Sequence, residues 1–130
     1  MSGETNLAVL LREMQPILNP GAYVFCNIPD KNMIKDVIFI GLFKEPEGWT
    51  AILAREVADE LNLKYSFIAA WITLTVHSAL EAVGLTAAVA KALAEVNIPC
   101  NVVAGYYHDH LFVPSDKAQA AMEALSKLVV

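Results

Sequence analysis

Apolar positions recur along this chain with two different periods, one typical of helices and one typical of strands. Leucines and a methionine at helical spacing predict a helix over residues 6–17. The same spacing predicts three further helices, at 55–61, 85–96 and 116–128, the last with Ser115 as its N-cap. Runs rich in β-branched and aromatic residues predict strands at 22–28, 37–43, 49–53, 65–76, 100–104 and 109–113.

The order of these predicted elements contains a repeat. Residues 37–61 and residues 100–128 each give strand, tight turn, strand and helix. Residues 71–128 give strand, helix, strand, strand and helix, which is a ferredoxin-like unit without its last strand. Because an open sheet edge invites further pairing, we expect the missing strand to come from the first half of the chain or from another subunit.

Composition limits the classes of protein to which the chain can belong. Its 130 residues suffice for one domain of ordinary size or two small ones. A net charge of −5 disfavours a nucleic-acid partner, and 56% hydrophobic residues exclude a disordered chain. The longest apolar stretch, residues 67–76, is shorter than the roughly 18 residues that a membrane span needs. We therefore expect a soluble domain with surplus apolar surface, buried in its core or against a partner.

The N-terminus and the cysteines indicate the compartment. No basic segment followed by a long apolar run opens the chain, so we expect no secretory signal and a cytoplasmic location. Cys26 and Cys100 are interpreted as buried free thiols, because nothing in their spacing argues for a disulfide or a zinc site.

Two segments of the second half resemble a known family. Residues 74–93 (LTVHSALEAVGLTAAVAKAL) look like the start of an ACT domain, and residues 98–114 (IPCNVVAGYYHDHLFVP) continue the match. More narrowly, they resemble a bacterial family of stand-alone tandem ACT proteins, related to the ACT repeats of aspartate kinases and to animal arginine sensors. The specific match covers roughly residues 71–125. Residues 21–26 also fit, with less distinctive motifs.

The resemblance implies an α+β fold of two ferredoxin-like, ACT-like units, with antiparallel sheets that carry helices on one face. We expect an incomplete N-terminal unit over residues 1–66 and an ACT domain over residues 67–130. The first unit is incomplete because no helix is predicted between the strands at 22–28 and 37–43.

The ferredoxin-like order also predicts a ligand site. It places the end of strand 71–76 beside the start of strand 109–113, at the edge where the helix near Leu85 begins. A helix N-terminus suits a carboxylate, and a nearby Asp109 suits an amino group, so together they would recognise a free amino acid. Gly84 would allow close approach of the ligand. The predicted ligand-binding residues are His77, Ser78, Val83, Gly84, Leu85, Thr86 and Asp109.

Other interpretations of the same residues stay open. Gly84 is equally explained by a backbone conformation at a strand–helix turn, and Asp109 by a solvated hairpin turn. The chain would then be a structural or interaction protein that keeps the fold without binding a ligand. A third hypothesis is a zinc enzyme that uses His77, His108 and His110, since three histidines with one open position occur in catalytic zinc sites.

The favoured hypothesis is a sensor or regulatory module without catalytic activity. Its expected ligand is a small molecule, an amino acid in particular, and no metal or other cofactor is expected. Because sheet edges and surplus apolar residues remain, we expect a homodimer, and any enzyme that the module regulates would be a separate partner protein. No nucleic acid or membrane partner is expected.

Overall fold

The structure is a computed structural model that describes residues 3–77 and 79–128. It contains two compact units, which we name for their place in the chain. The middle unit is Gly21–Ala69, and the terminal unit combines the described residues of Met1–Pro20 and Ala70–Val130. In this division the first twenty residues lie with the C-terminal part of the chain, and the expected boundary between residues 66 and 67 stays a prediction.

Helices and strands follow one another as the sequence order predicts, with one added strand. The elements up to the end of the middle unit are α1 (Leu7–Glu13), β1 (Pro16–Leu18), β2 (Tyr23–Ile28), a 3-10 helix (Lys31–Ile34), β3 (Gly41–Glu45), β4 (Gly48–Ala54) and α2 (Arg55–Glu60). The remaining elements are β5 (Ile68–Leu74), α3 (Leu85–Glu95), β6 (Asn101–Ala104), β7 (Asp109–Pro114), a second 3-10 helix (Ser115–Lys117) and α4 (Ala118–Ser126).

The terminal unit obtains its missing strand from the first half of the chain. β1 runs antiparallel to β5, with Pro16 opposite Leu74 and Leu18 opposite Ile72. On the other side of β5 lies β7, which forms an antiparallel hairpin with β6. β1 therefore occupies the place of the fourth strand of a ferredoxin-like unit, beside the first, and the first of our two expected sources is correct.

The middle unit has the same strand order. β4 lies between β3 and β2, and the first residues of β5 pair with β2, with Val24 opposite Ile68 and Tyr23 opposite Ala69. β5 thus begins as the fourth strand of the middle unit and continues as the first strand of the terminal unit. This confirms the α+β class with two ferredoxin-like units and antiparallel pairing.

The core of the terminal unit lies between one face of its sheet and its three helices. Its buried residues come from β5 and β7 on the sheet side and from α1, α3 and α4 on the helix side: Ala70, Ile72, Leu74, Leu111, Val113, Leu10, Leu85, Val89, Leu93, Ala121 and Leu125. Alternate residues of β5 point into this cluster, as the period of two in a strand requires.

A smaller core holds the middle unit together. Alternate residues of β2 and β4 pack against Ile34 of the first 3-10 helix and Ala58 of α2. Only a four-residue 3-10 helix stands between β2 and β3, which agrees with the prediction that no α-helix forms there.

The helix predicted over residues 6–17 is too long at its C-terminal end. α1 ends at Glu13, and the next residue, Met14, has an extended backbone with ψ of 132°. Pro16 lacks an N–H group and disfavours helical geometry at the residue before it, so the chain leaves the helix and enters β1.

Three other boundaries differ from their predictions. The strand expected at 37–43 is Gly41–Glu45, because the preceding residues follow the 3-10 helix and Val37 packs onto the core of the middle unit. The strand expected at 65–76 is Ile68–Leu74. Ser115 does not cap the last helix, since it begins a 3-10 turn and no side chain caps α4.

The two cysteines match the expectation of buried free thiols in part. Both cysteines are free, Cys26 is buried and Cys100 is half-buried. Burial raises the pKa of Cys100 to about 11, so this thiol is protonated at neutral pH.

No helix in the described part of the chain combines the length and the apolar character that crossing a bilayer requires.

The packing of α1 into the terminal unit can be tested with Leu10→Ala. Leu10 is fully buried in the core, so the substitution should lower the free energy of unfolding by about 2–5 kcal/mol. Leu80→Ala is the matched control, because Leu80 is exposed and should cost less than about 0.5 kcal/mol. Urea denaturation measures both, and equal effects would show that α1 does not belong to this core.

Candidate functional site

A small cavity lies in the terminal unit where β6 ends and where β7 and α3 begin. Its volume is about 60 Å³, well below the roughly 300 Å³ of a pocket that encloses a whole ligand. A cavity of this size has room for small polar groups of a molecule whose remainder lies outside. The lining residues are Ala79, Leu80, Ala82, Leu85, Thr86, Ala104 and Asp109.

Asp109 is the charged residue among those that line this cavity. It is the first residue of β7, and its exposed fraction is only 8%. No side-chain nitrogen or oxygen atom of the described residues is both buried and without a hydrogen-bond partner. Burial raises the pKa of Asp109, and the neighbouring His110 and His108 oppose that shift. The charged form of a carboxylate that is largely removed from water is costly, so a cationic group that enters the cavity would gain a strong interaction.

The N-terminus of α3 supplies a partial positive charge beside the Asp109 carboxylate. Gly84 is its N-cap with a left-handed φ of 104°, and no side chain caps the helix. The first intrahelical bond runs from Ala88 N–H to the Gly84 carbonyl at 2.9 Å. The N–H groups of the first turn, which includes the cavity residues Leu85 and Thr86, are therefore not satisfied by a capping side chain and suit an anion.

Gly84 has a structural role as well. A Cβ atom there would lie 2.9 Å from Cδ2 of Leu7 in α1, and the left-handed backbone disfavours any other residue. Replacing Gly84 would therefore disturb both the backbone and the packing of α1. The conformational interpretation of this glycine is correct, and it does not conflict with a place beside a ligand.

The loop before α3 is held by a residue that the sequence analysis did not identify. Glu4 N–H donates to the His77 carbonyl at 2.9 Å, and Ala79 N–H donates to the Glu4 carbonyl at 3.0 Å. These bonds fix the entry of the loop whose later residues line the cavity. No local pattern distinguishes Glu4, because the contact spans more than seventy residues of sequence and involves only backbone atoms.

The other predicted site residues lie around the cavity rather than in it. His77 is half-buried, with its ring 5.2 Å from that of Tyr107. Val83 is 81% exposed and does not line the cavity. Ser78 lies outside the described residues. The structure thus brings Leu85, Thr86 and Asp109 together directly, with Gly84 at the start of the helix.

The three histidines do not form a metal site. His108 lies in the turn before β7, with Nδ1 3.4 Å from the Val76 carbonyl, while Nδ1 of His110 accepts a hydrogen bond from Trp71. Within residues 3–77 and 79–128, no three His, Cys, Asp or Glu side chains are close enough to hold a metal ion. The geometry therefore does not support the zinc-enzyme hypothesis.

His110 instead takes part in a polar network that joins three strands. Trp71 Nε1 donates to His110 Nδ1 at 3.0 Å, and Thr73 Oγ1 lies 3.2 Å from the same nitrogen. Asn19, just after β1, donates from Nδ2 to Thr73 Oγ1 at 3.0 Å. Because an indole N–H only donates, Nδ1 of His110 carries a lone pair and the neutral imidazole has its proton on Nε2.

The middle unit does not repeat the site. In the matching hairpin, the Lys44–Trp49 pair occupies the place of Ala104 and Asp109, so an indole replaces the carboxylate. Trp49 packs against the core, and Lys31 Nζ lies 5.0 Å from its ring centroid. The short 3-10 helix that replaces α3 is already capped by Asp30, which accepts from Asn32 N–H at 3.0 Å.

The cost of burying Asp109 predicts an effect of Asp109→Asn on stability. A folded-state pKa above the unfolded value means that protonation favours folding, a contribution present below about pH 3.9 and lost as the pH rises through the folded pKa. The uncharged variant should therefore need more urea to unfold than the natural protein at pH 7, with the difference vanishing in acid. Asp116→Asn, at an exposed position, is the control and should show no such gain.

The Trp71–His110 bond predicts a pH-dependent fluorescence signal. Burial lowers the pKa of His110, and His108 lowers it further, so the network should persist until the pH falls below the usual value of about 6.5. In a Trp49→Phe background, which leaves Trp71 as the one tryptophan, emission should change in that acidic range. Adding His110→Asn keeps an acceptor but removes the titration, so a transition that survives this variant would contradict the assignment.

Two family models match the chain in tandem. Models described as ACT domain match residues 2–70 and residues 66–127. The comparison with curated proteins found no match.

Solved structures give the same fold. A Vibrio cholerae protein of unknown function, described as a possible transport protein, is 48% identical, with a TM-score of 0.87 over 95% of this chain and 96% of that one. The ligand-free regulatory subunit of aspartate kinase from Thermus thermophilus is 12% identical, with a TM-score of 0.65 over 88% and 97% of the two chains.

A whole aspartate kinase shows the same likeness over part of its length. The enzyme from Clostridium acetobutylicum is 8% identical, with a TM-score of 0.68 over 90% of this chain but only 34% of its own. The two low-identity matches establish the fold alone, whereas the first family match covers more than half of the chain and the two together cover nearly all of it. This chain therefore belongs to the ACT domain family.

Proposed function

We propose that this protein is a regulatory module that binds a free amino acid in the terminal unit and has no catalytic activity of its own. The observation that carries the proposal is the largely buried Asp109, whose pKa is raised by burial, in a cavity that also borders the uncapped N-terminus of α3. Its membership of a family of regulatory domains supports the same function.

The two charged ends of an amino acid match the two ends of this site. Its ammonium group would donate to Asp109, and its carboxylate would accept from N–H groups in the first turn of α3. The cavity volume of about 60 Å³ leaves room for these backbone groups but not for a large side chain, which would project outward. Each contact would join a charged group of the ligand to a protein group of opposite charge or partial charge.

Binding would act by shifting a conformational equilibrium. The site is built from the loop after β5, the start of α3 and the β6–β7 hairpin, so one ligand connects segments that are distant in sequence. A ligand that bridges Asp109 and α3 favours the arrangement in which these segments are close. A separate partner protein, such as a regulated enzyme, would recognise that arrangement.

We also propose that the protein acts in the cytoplasm as a homodimer. The support for self-association is apolar surface, since Ile38 and Phe43 of the middle unit are strongly exposed, and Phe43 belongs to the edge strand β3. Exposed apolar edges favour pairing with a second chain. Sedimentation at micromolar concentration tests this part, and a monomer would overturn it without affecting the ligand site.

Calorimetric titration with each of the twenty amino acids tests the ligand. We expect heat of binding from at least one of them, and Asp109→Asn should weaken that binding by at least roughly tenfold because a charge-assisted bond is lost. Asp116→Asn is the matched control and should bind like the natural protein. Asp109→Asn is preferable to a change at Gly84, because the latter disturbs the packing of α1.

The outcomes separate the two open functions. No binding of any amino acid at millimolar concentration would overturn the proposal and favour a structural or interaction protein with this fold. Binding that Asp109→Asn leaves unchanged would show a ligand site elsewhere in the chain.

A further inference from the structure

The loop that lines the cavity is held at its first end by a segment near the start of the chain. This cavity loop comprises residues 77–84, of which the structure describes all except residue 78. Glu4 N–H donates to the His77 carbonyl at 2.9 Å, and Ala79 N–H donates to the Glu4 carbonyl at 3.0 Å. Both bonds use the backbone of one residue, so Glu4 joins the loop as an isolated β-bridge.

The same segment also contacts the other end of the loop. Apart from atoms of the adjacent residues, the three atoms nearest to the Cβ position of Gly84 all belong to Leu7, and the closest lies 2.9 Å away. Leu7 is the first residue of α1 and packs against the core of the terminal unit. We name residues 4–7 the N-terminal clamp, because they contact both the entry and the exit of the cavity loop.

Side-chain hydrogen bonds give the clamp a defined conformation. Glu4 Oε1 accepts from Thr5 N–H at 3.2 Å and from Asn6 N–H at 2.9 Å. Asn6 in turn is the N-cap of α1, where its Oδ1 accepts from Val9 N–H at 3.2 Å. The clamp is therefore a folded extension of α1, and the position of the helix determines where the backbone of Glu4 meets the loop.

Few apolar contacts hold the clamp and the cavity loop in place. Residues 4–6 are exposed, and in the loop Leu80 and Val83 are 67% and 81% exposed. Ala82 is the described loop residue that packs against the core. Segments with little buried apolar surface open locally at a low free energy. The contacts made by the clamp are therefore a large share of those that keep the loop at the cavity.

We propose that the N-terminal clamp controls the affinity of the ligand site by holding the cavity loop where it lines the cavity. This inference rests on the proposed function, because Ala79, Leu80 and Ala82 of the loop and Asp109 would together surround the ligand. Release of residues 4–7 frees both ends of the loop and disassembles that side of the cavity. By thermodynamic linkage, a clamp that favours ligand binding is itself stabilised by the ligand to the same extent.

Amide hydrogen exchange tests the clamp without any ligand. The probe is Ala82 N–H, whose bond to the Ala79 carbonyl lies within the loop, and the reference is Ile98 N–H, which bonds to the Leu93 carbonyl beyond the other end of α3. Glu4→Pro removes one of the two backbone bonds and should raise the ratio of the probe rate to the reference rate roughly fivefold or more. Glu4→Ala is the matched control, because it keeps both backbone bonds and loses only the side-chain acceptor.

A second variant releases the other end of the loop. Leu7→Ala removes the contact with Gly84 and should raise the same ratio of exchange rates. Leu11→Ala is its control, because Leu11 is a partly buried residue of α1 that packs against the same core. A general loss of stability accelerates both amides and leaves the ratio unchanged. If neither Glu4→Pro nor Leu7→Ala raises the ratio above its control, the clamp does not hold the loop and the inference is wrong.

Calorimetric titration measures the coupling between the clamp and the ligand. The probes are the twenty amino acids, and those that bind the natural protein are titrated into the Glu4→Pro and Glu4→Ala variants. We expect Glu4→Pro to bind roughly fivefold or more weakly than Glu4→Ala. Equal affinity of the two variants would overturn the coupling and leave the proposed function intact. Absence of binding to the natural protein would overturn the proposed function, whereas the exchange ratio would still confirm or contradict the clamp.

Discussion

The pairing of β1 with β5 is the constraint on which the terminal unit depends. Without these three residues, the part of β5 from Ile72 to Leu74 would have one unpaired edge. The helix that precedes β1 would also no longer be held against the core by the strand that follows it. The same connection brings the first residues of the chain to the site. Leu7 packs beside Gly84 at the start of α3, and Glu4 holds the loop that lines the cavity. A short strand with little intrinsic stability thus positions a helix, a loop and the cavity.

Asp109 is the buried charged residue among those that the structure describes, and it lies at the edge of the apolar core of the terminal unit. Its removal from water raises its pKa and makes its charged form costly. In the proposed function, the cationic group of a ligand offsets this cost and favours one arrangement of the surrounding segments.

The two units share a topology but differ at the positions that form the candidate site in the terminal unit. β5 is the last strand of one unit and the first strand of the other, so the two units share this strand. In the middle unit the helix is reduced to a single 3-10 turn with its own aspartate cap, and the position of Asp109 is taken by Trp49. An indole packed on the core stands there in place of the charged group, so the candidate site lies in the terminal unit.

Local pattern by itself determined the elements of the second half, their ferredoxin-like order, the family resemblance, and the edge at which Gly84, Leu85, Thr86 and Asp109 gather. These features follow from the helical and strand periods, which can be recognised within short stretches of sequence, and from the order of the elements that those periods predict. Only the tertiary structure decided that residues 16–18 form a strand, that Glu4 secures the loop, and that Asp109 is largely buried at the cavity. A three-residue strand shows no period, and burial depends on residues far away in the chain, so neither is visible until the chain has folded.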